Sequence, residues 1–387
     1  MKKAIIIAST ASMILQFNMN NIKILQESGY EVMVACNFTT GNSVDSNTIK
    51  DLKKQLKNIN VMTVQIPIPR NPLAFRSIIL SYKILKQLSE QFYFSIMHCH
   101  SPIGAAVARS AFKKSHKTGT KIIYTAHGFH FYKGAPLHNW MLYYPIEYLL
   151  SKWTDVIITI NTEDYNRARK FGTAIVAYTP GIGIHLTQES TVSSANKRRE
   201  LGIPENAFLM LSVGELNRNK NHQIIIKAMA RINHDSLYYV ICGQGGEKSA
   251  LQQLAQKLGI ENRVKLLGFR TDMEEIYPCA NVFILPSYRE GLSVALMEAM
   301  SYGLPCIVSC IRGNIDLIDD NLGGYTVLPN DVNGFVRAIK KTLNNNVQKL
   351  GFYNKEKIQC FSIEKVAEYM RKIYLDISLP SNTKKLK

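Results

Sequence analysis

Val282-Phe-Ile-Leu285-Pro286-Ser-Tyr-Arg-Glu290-Gly-Leu-Ser293-Val-Ala-Leu-Met-Glu298-Ala-Met300 reads as a strand, a loop and a helix in immediate succession. Val282–Leu285 is continuously apolar, as a parallel strand covered on both faces requires. Pro286 ends it, and Ser293 is placed to cap the helix that follows. The same unit recurs along the chain. In the first half, apolar β-branched runs predict strands at Ala4–Ala8, Glu31–Cys36, Val61–Ile66, Ser95–Cys99, Lys121–Ala126, Asp155–Ile160 and Ala174–Tyr178. In the second half they fall at Leu209–Val213, Tyr238–Cys242, Val264–Leu267, Val282–Leu285 and Cys306–Ser309, with helices over roughly 222–232, 248–258, 272–279, 294–302 and 331–344. Two consecutive βα series predict an α/β chain of two doubly wound, Rossmann-like domains.

The 387 residues exceed one ordinary core and fit two domains. An apolar content of 46% excludes disordered and collagen-like classes. The polar stretch 188–199 has no apolar period, so the domains are expected at 1–190 and 191–360. Residues 361–387 then form a helix and a basic tail ending Lys384-Lys385-Leu386-Lys387, the helix packing back on the first domain. Seven cysteines form no CxxC pair and read as reduced core thiols rather than a disulfide or zinc framework. The apolar run after Met1-Lys2-Lys3 is too short for a secretory leader and reads as the first strand. No run of about 18 apolar residues is present to span a bilayer; the reduced thiols lead to the expectation of a cytoplasmic protein.

Charge is uneven. The formal net charge is +18, with 21 basic and 10 acidic residues over 1–190, against 20 and 16 over 191–360. From Lys50 to Lys133 there are 14 basic residues and two acids, Asp51 and Glu90. A basic half suits nucleic acid, an anionic membrane or a phosphorylated substrate. No zinc finger, helix-turn-helix signature or RNP-like aromatic stretch accompanies it, so nucleic acid is not expected. Arg70-Asn-Pro-Leu-Ala-Phe-Arg76-Ser-Ile-Ile-Leu-Ser-Tyr-Lys83-Ile-Leu-Lys86 mixes bulky apolar residues with cations on a predicted helix. Such a helix lies on an anionic bilayer or packs on its own sheet with a basic outer face.

Four segments place polar groups where a strand runs into a helix, the edge at which open α/β sheets bind ligands. In Gly214-Glu-Leu-Asn-Arg218-Asn-Lys220, two cations beside a helix N-terminus suit a diphosphate; a solvated basic turn has the same sequence. Gly243-Gln-Gly245-Gly246 permits close backbone approach but is not GxGxxG. Glu290 lies in a loop and Glu298 just past the first turn of the next helix, so both carboxylates can reach one ligand at different points. Glu298 sits among Leu296, Met297, Ala299 and Met300 and needs a partner. His127-Gly-Phe-His130-Phe-Tyr-Lys133 puts a histidine at a strand's end, with Phe129, Phe131 and Tyr132 available to stack on a sugar. Alternation sends His98 and His100 to one face and Cys99 to the other, against a metal cluster.

Gly214…Lys220, Gly243-Gln-Gly245, Gly268-Phe269-Arg270 and above all Glu290-Gly-x₆-Glu298-Ala followed by Gly303-Leu-Pro-Cys306 resemble the family 4 glycosyltransferases of the GT-B fold. His127-Gly-Phe-His-Phe and Gly29-Tyr-Glu-Val resemble the branch that builds capsular and exopolysaccharide repeat units. The resemblance implies two Rossmann-like domains facing across a cleft, and a retaining transferase that uses a nucleotide sugar without cofactor or metal. It implies that His127 meets the transferred sugar and Glu290 hydrogen-bonds it. Glu298 would hold the ribose, and Lys220 with Arg218 would neutralise the diphosphate. Phe269 and Arg270 would flank the base, and backbone at Ser293, Val294 and Ala295 would touch phosphate. Gly214, Gly243 and Gly245 belong to the donor side; Ser9, His130 and Lys133 belong to the acceptor side. The donor is expected to be UDP-linked, the sugar a hexose or N-acetylhexosamine, and the acceptor a polyprenyl-diphosphate-linked saccharide met at the inner leaflet. A sugar-nucleotide epimerase is the alternative on the same fold. Three positions depart from the family pattern: Glu215 where Arg is usual, Ser9-Thr-Ala-Ser in place of a Gly-Gly loop, and His185 where Asp is frequent.

Overall fold

The computed structural model of the chain describes residues 2–186, 194–344 and 347–378. The basic end Lys384–Lys387 lies outside the described residues. All twelve expected strands form: β1 (Lys2–Ile7), β2 (Tyr30–Cys36), β3 (Met62–Gln65), β4 (Ile96–His100), β5 (Lys121–Ala126), β6 (Val156–Thr159), β7 (Ile175–Tyr178), β8 (Phe208–Val213), β9 (Leu237–Cys242), β10 (Val264–Gly268), β11 (Val282–Leu285) and β12 (Cys306–Ser309). A thirteenth, β13 (Gly324–Val327), escapes the sequence pattern because two glycines and an exposed edge dilute its apolar signal.

The described residues divide into two units. One holds the chain up to Ile182 and from Glu364 onward; the other holds Gly183–Ile363. The expected boundary near 190 moves to 183 because the two connecting segments pair with each other. Ile184 N–H donates to Phe361 O at 3.0 Å, and Ile363 N–H to Ile184 O at 3.0 Å. Part of the expected linker is helix, Ser194–Glu200. It folds because its cations find acceptors in the second unit: Lys197 meets Glu200, Asp272 and Glu275, and Arg198 donates to Cys279 O, Ala207 O and Asn281.

The first unit is a seven-stranded parallel sheet in the order β3-β2-β1-β4-β5-β6-β7. One face carries Ile6, Val34, Ile123 and Ile158, covered in part by Val366, Met370 and Tyr374 of the helix Ile363–Ser378. The other carries Ile5, Met97, Tyr124 and Ile157 under the helices Phe75–Gln91, Pro102–Ala111 and Leu137–Ser151. The second unit is a six-stranded parallel sheet in the order β10-β9-β8-β11-β12-β13, with cores on both faces. Five cysteines are buried as expected, whereas Cys310 and Cys360 are exposed. No described helix is long and apolar enough to cross a membrane.

Candidate active site

Each sheet reverses its winding direction once, between β1 and β4 in the first unit and between β8 and β11 in the second. Helices leave such a point toward opposite faces, which opens a crevice at the C-terminal ends of the strands. Ser9, Gly214, Lys220, Glu290 and Ser293 follow the strands of these two crossovers, whereas His127, Gly243 and Gly245 follow the adjacent strands β5 and β9, and Phe269 and Arg270 follow the edge strand β10.

In the second unit, the turn Arg218–Lys220 leaves β8 and leads into the helix His222–Ile232. Lys220 Nζ lies 2.7 Å from Glu290 Oε1, which comes from the loop after β11. Both side chains are largely buried, so the pair is screened little by solvent. Asparagines hold the two loops together. Asn217 Oδ1 accepts from Lys220 N–H at 3.0 Å, and Asn219 Nδ2 donates to Arg289 O at 2.9 Å. Asn221 Nδ2 donates to Pro286 O and Pro329 O. Asn221 does so from the left-handed region, at φ 53°, which asparagine tolerates better than most residues. On the far side, Arg312 Nε donates to Glu290 O at 3.3 Å, and a Cβ on Gly313 would fall 2.1 Å from Gly291 O. Sequence reasoning missed Asn219, Asn221, Arg312 and Gly313; the run Asn217-Arg-Asn-Lys-Asn221 was the available signal for the two asparagines.

Two donor-side expectations change. Arg218 is not paired with Lys220: its side chain is 92% exposed, with Glu247 the nearest carboxylate at 3.8 Å. The glycines after β9 answer to neighbouring backbone. A Cβ on Gly243 would lie 1.8 Å from Gly214 O, and one on Gly245 2.3 Å from Leu216 O. Gly214 leaves room for the Lys220 stem, since its Cβ would meet Lys220 Cε at 3.0 Å.

Ser293 caps the helix Val294–Ser301, its Oγ accepting from Leu296 N–H. The first-turn N–H groups of Val294 and Ala295 have no intrahelical partner by helix geometry. Glu298 finds the partner its apolar surroundings demand: Tyr277 Oη donates to Glu298 Oε2 at 2.8 Å. Burial raises the Glu298 pKa, and the Tyr277 bond opposes the rise. Tyr277 stacks on Tyr302, which fixes its ring. Beyond β10, Phe269 is exposed, while the Arg270 guanidinium is committed to Asp272 and Glu200. Its charge is therefore engaged, and the Arg270 bond holds the Asp272 carboxyl well below the usual range.

In the first unit, the ends of β1 and β4 meet through a hydrogen bond between Ser9 Oγ and Ser101 Oγ. A Cβ on Gly104 would crowd both, at 3.0 and 2.8 Å. His127, half-buried at the end of β5, rests on the Phe17 ring with centroids 5.0 Å apart. Its Nε2 lies 3.1 Å from His100 Nδ1. Burial pushes the His127 pKa down to about 4. Burial first, then repulsion from any proton on the neighbouring His98 or His127, sets His100 well below its ordinary value, so the His100 and His127 rings are neutral. His100 Nε2 is buried and has no hydrogen-bond partner among the described residues. A proton there would be an unsatisfied buried donor, so the favoured tautomer carries it on Nδ1 and donates to His127 Nε2. His127 then bears its own proton on Nδ1.

His98 lies beside His100, centroids 4.2 Å apart, and both of its nitrogens are used, by Tyr374 Oη and Thr125 Oγ1. Cys99 points to the opposite core, as alternation requires. Among the described residues no group of three or more His, Cys, Asp or Glu is placed to hold a metal ion. Phe129 and Phe131 do not line a sugar site: they stack on each other at 4.8 Å and are buried with Trp140, Tyr144 and Phe171. Phe129 and Phe131 alternate, a pattern that suits a core as well as a platform, and the core on this sheet face took both. His130 packs on Tyr143, and Lys133 is exposed, its backbone N–H donating to Glu163.

The model of glycosyl transferases group 1 matches residues 193–358, and that of glycosyltransferase family 4 matches residues 19–182. A Bacillus subtilis protein named EpsD and described as a glycosyltransferase is 34% identical over 369 residues, 92% of each chain. A UDP-Gal:α-D-GlcNAc-diphosphoundecaprenol α-1,3-galactosyltransferase of Escherichia coli is 28% identical over 314 residues, 78% of this chain and 79% of its own. Anabaena Alr3699/HepE, solved in complex with UDP and glucose, superposes with a TM-score of 0.75 at 17% identity, covering 97% of this chain and all of the other. That likeness identifies the fold as GT-B. With a third of its residues shared with a glycosyltransferase over nine tenths of both chains, this chain belongs to the family 4 glycosyltransferases.

Proposed function

We propose that the chain moves a hexosyl or N-acetylhexosaminyl group from a UDP-sugar to a saccharide carried on a polyprenyl diphosphate, during assembly of a surface polysaccharide. The anomeric configuration is retained and no metal takes part. The bond from the anomeric carbon to the diphosphate oxygen breaks, and a bond to the acceptor hydroxyl oxygen forms on the same face. The hydroxyl proton leaves with the diphosphate. Negative charge grows on the departing group, so fixed cations and helix N–H groups lower the barrier most.

The observation that carries this reading is the Lys220–Glu290 pair at the crossover of the second sheet, beside the capped helix bearing Glu298. Glu290 holds Lys220 in place before substrate arrives, so little reorganisation accompanies reaction. In this proposal Lys220 and the N–H groups of Val294 and Ala295 take the diphosphate, Glu298 the ribose hydroxyls and Glu290 the sugar. Phe269 lies against the base, and His127 donates from Nδ1 to a sugar oxygen. Ser9, His130 and Lys133 serve the acceptor. The lipid-linked acceptor is supported by the name of the E. coli relative, which includes a diphosphoundecaprenol substrate.

The test is UDP release from a panel of UDP-sugars, with and without a synthetic polyprenyl-diphosphate-linked monosaccharide, in buffer with and without EDTA. Acceptor-dependent release that survives EDTA, with an axial donor linkage kept axial by NMR, is expected. Release without sugar transfer to the acceptor would sink the proposal and favour the epimerase.

A further inference from the structure

The helix Leu137–Ser151 has an outer half that a helix in water does not show. At 100° per residue, its exposed positions fill one contiguous half-turn. Leu137 (74% exposed), Met141 (72%), Leu142, Ile146, Tyr148 and Leu149 lie there, with Pro145 and the polar His138 among them. The helix contains one acid, Glu147, and it faces inward, buried against Arg109 Nη2 at 2.7 Å. The outer half therefore carries no negative charge, and Lys152 stands exposed just beyond its end. A helix whose outward face is as apolar as its inward face belongs in a core or at lipid. This one is packed on one side by its own unit, and its 15 residues are too few to span a bilayer.

The first turns of the helix Phe75–Gln91 repeat the pattern. Leu73, Phe75, Ile79 and Leu80 are exposed beside Arg76 and Lys83, and no acid occurs from Arg70 to Lys86. Both helices cover the same face of the seven-stranded sheet, flanking the helix Pro102–Ala111. Two outward stripes of the same composition thus sit in one layer.

We propose that the outer faces of these two helices form the surface by which this unit lies on an anionic lipid bilayer. The apolar side chains enter the boundary between headgroups and acyl chains, and Arg70, Arg76, Lys83 and Lys152 meet headgroup phosphates. Charge complementarity selects this occupant over a second copy of the chain, because self-association would bring cations together with no acid between them. The inference goes beyond the transferase reading and stands separately from it.

The test is flotation of the full chain with vesicles of phosphatidylcholine alone and of phosphatidylcholine mixed with phosphatidylglycerol. Binding to the mixed vesicles is expected, with at least about tenfold less binding to the neutral ones. The triple variant Leu137→Ser, Met141→Ser, Leu149→Ser should lose roughly tenfold or more of the binding. Its thermal stabilisation by UDP should equal that of the wild type, because these side chains are exposed on the first unit and the residues proposed to take the nucleotide belong to the second. Failure of the wild type to float, equal binding to both vesicles, or undiminished binding of the triple variant would overturn the proposal. So would a wild-type dimer that the triple variant dissociates, with no vesicle binding by either. A chain that floats as expected but releases no UDP would leave this surface standing and overturn the transferase proposal.

Discussion

At the crossover of the second sheet, Lys220 and Glu290 meet as an ion pair and Glu298 accepts from a buried tyrosine. At the crossover of the first, two serine hydroxyls share one hydrogen bond, and two neutral histidines share another at the neighbouring strand end. The backbone plan is the same: parallel strands, one reversal, polar residues at the C-terminal edge. The chemistry placed on it differs in charge. Preorganised charge suits a diphosphate whose negative charge grows during reaction, whereas neutral donors suit hydroxyl-rich sugar. In the proposed reaction, residue types and not the sheet divide the work between the two edges.

The comparison breaks most readily at Lys220. Lys220→Ala is expected to lower kcat/KM by about 100- to 1,000-fold, the usual loss for one donor to a developing anion. Lys220→Arg should retain part of that activity; wild-type UDP release by the alanine variant would show the charged edge idle. Glu298→Gln keeps the shape and removes the charge. Nucleotide affinity measured by calorimetry should fall roughly 10- to 100-fold, a charge-assisted bond of about 1.5–3 kcal/mol. Glu290→Gln should lose a similar amount in kcat/KM, because it also removes the counter-charge of Lys220.

The neutral edge is sharpened by His100. His100→Leu frees His127 to adopt either tautomer, and kcat should drop roughly tenfold, below the ~100-fold of a misplaced reacting group. UDP affinity should stay unchanged, and His100→Asn, which keeps an N–H donor, should recover part of the rate. Equal rates in the two variants would remove His100 as a positioning residue.

The smallest effect expected is on stability. Burial sets His98 at about 3, and His127 and His222 at about 4, against 6.5 in the unfolded chain. Between pH 6.5 and about 4 for His127 and His222, and down to about 3 for His98, the unfolded state binds protons that the folded state refuses. The contribution is therefore full above pH 6.5 and is lost as pH falls through that window. Thermal melts should be level above pH 6.5 and decline toward pH 4, with a shallower decline in His98→Gln. A profile unchanged by that substitution would mean that the ring is not held neutral.

Much of the site was legible because its signals are local. Ser293 as a cap, Glu298 as a carboxylate in need of a partner, and His127 at a strand's end each follow from a few neighbouring residues. What was misread involved partners that the folded loops bring together, several of them distant in sequence. Arg218 and Lys220 look equivalent two residues apart, but Glu290, 70 residues on, pairs with Lys220. Arg270 resembles a free cation until Asp272 and Glu200 are seen to hold it. Phe129 and Phe131 resemble a sugar platform until Trp140 and Phe171 close over them. The asparagines that bind the Lys220 loop to the Glu290 loop carry no charge to attract notice, and their bonds are visible only with β8 beside β11.

By itself the sequence determined the alternation of buried strands and helices, two doubly wound units and the strand ends at which polar groups collect. Those features follow from hydrophobic period and local backbone chemistry, which act over a few residues. The tertiary structure decided the strand order, and with it which loops meet at each reversal. It also decided which cation keeps an acid partner in the site, and which aromatics go inside. These depend on contacts between residues far apart in the chain, whose free energies are realised only when the sheet is assembled.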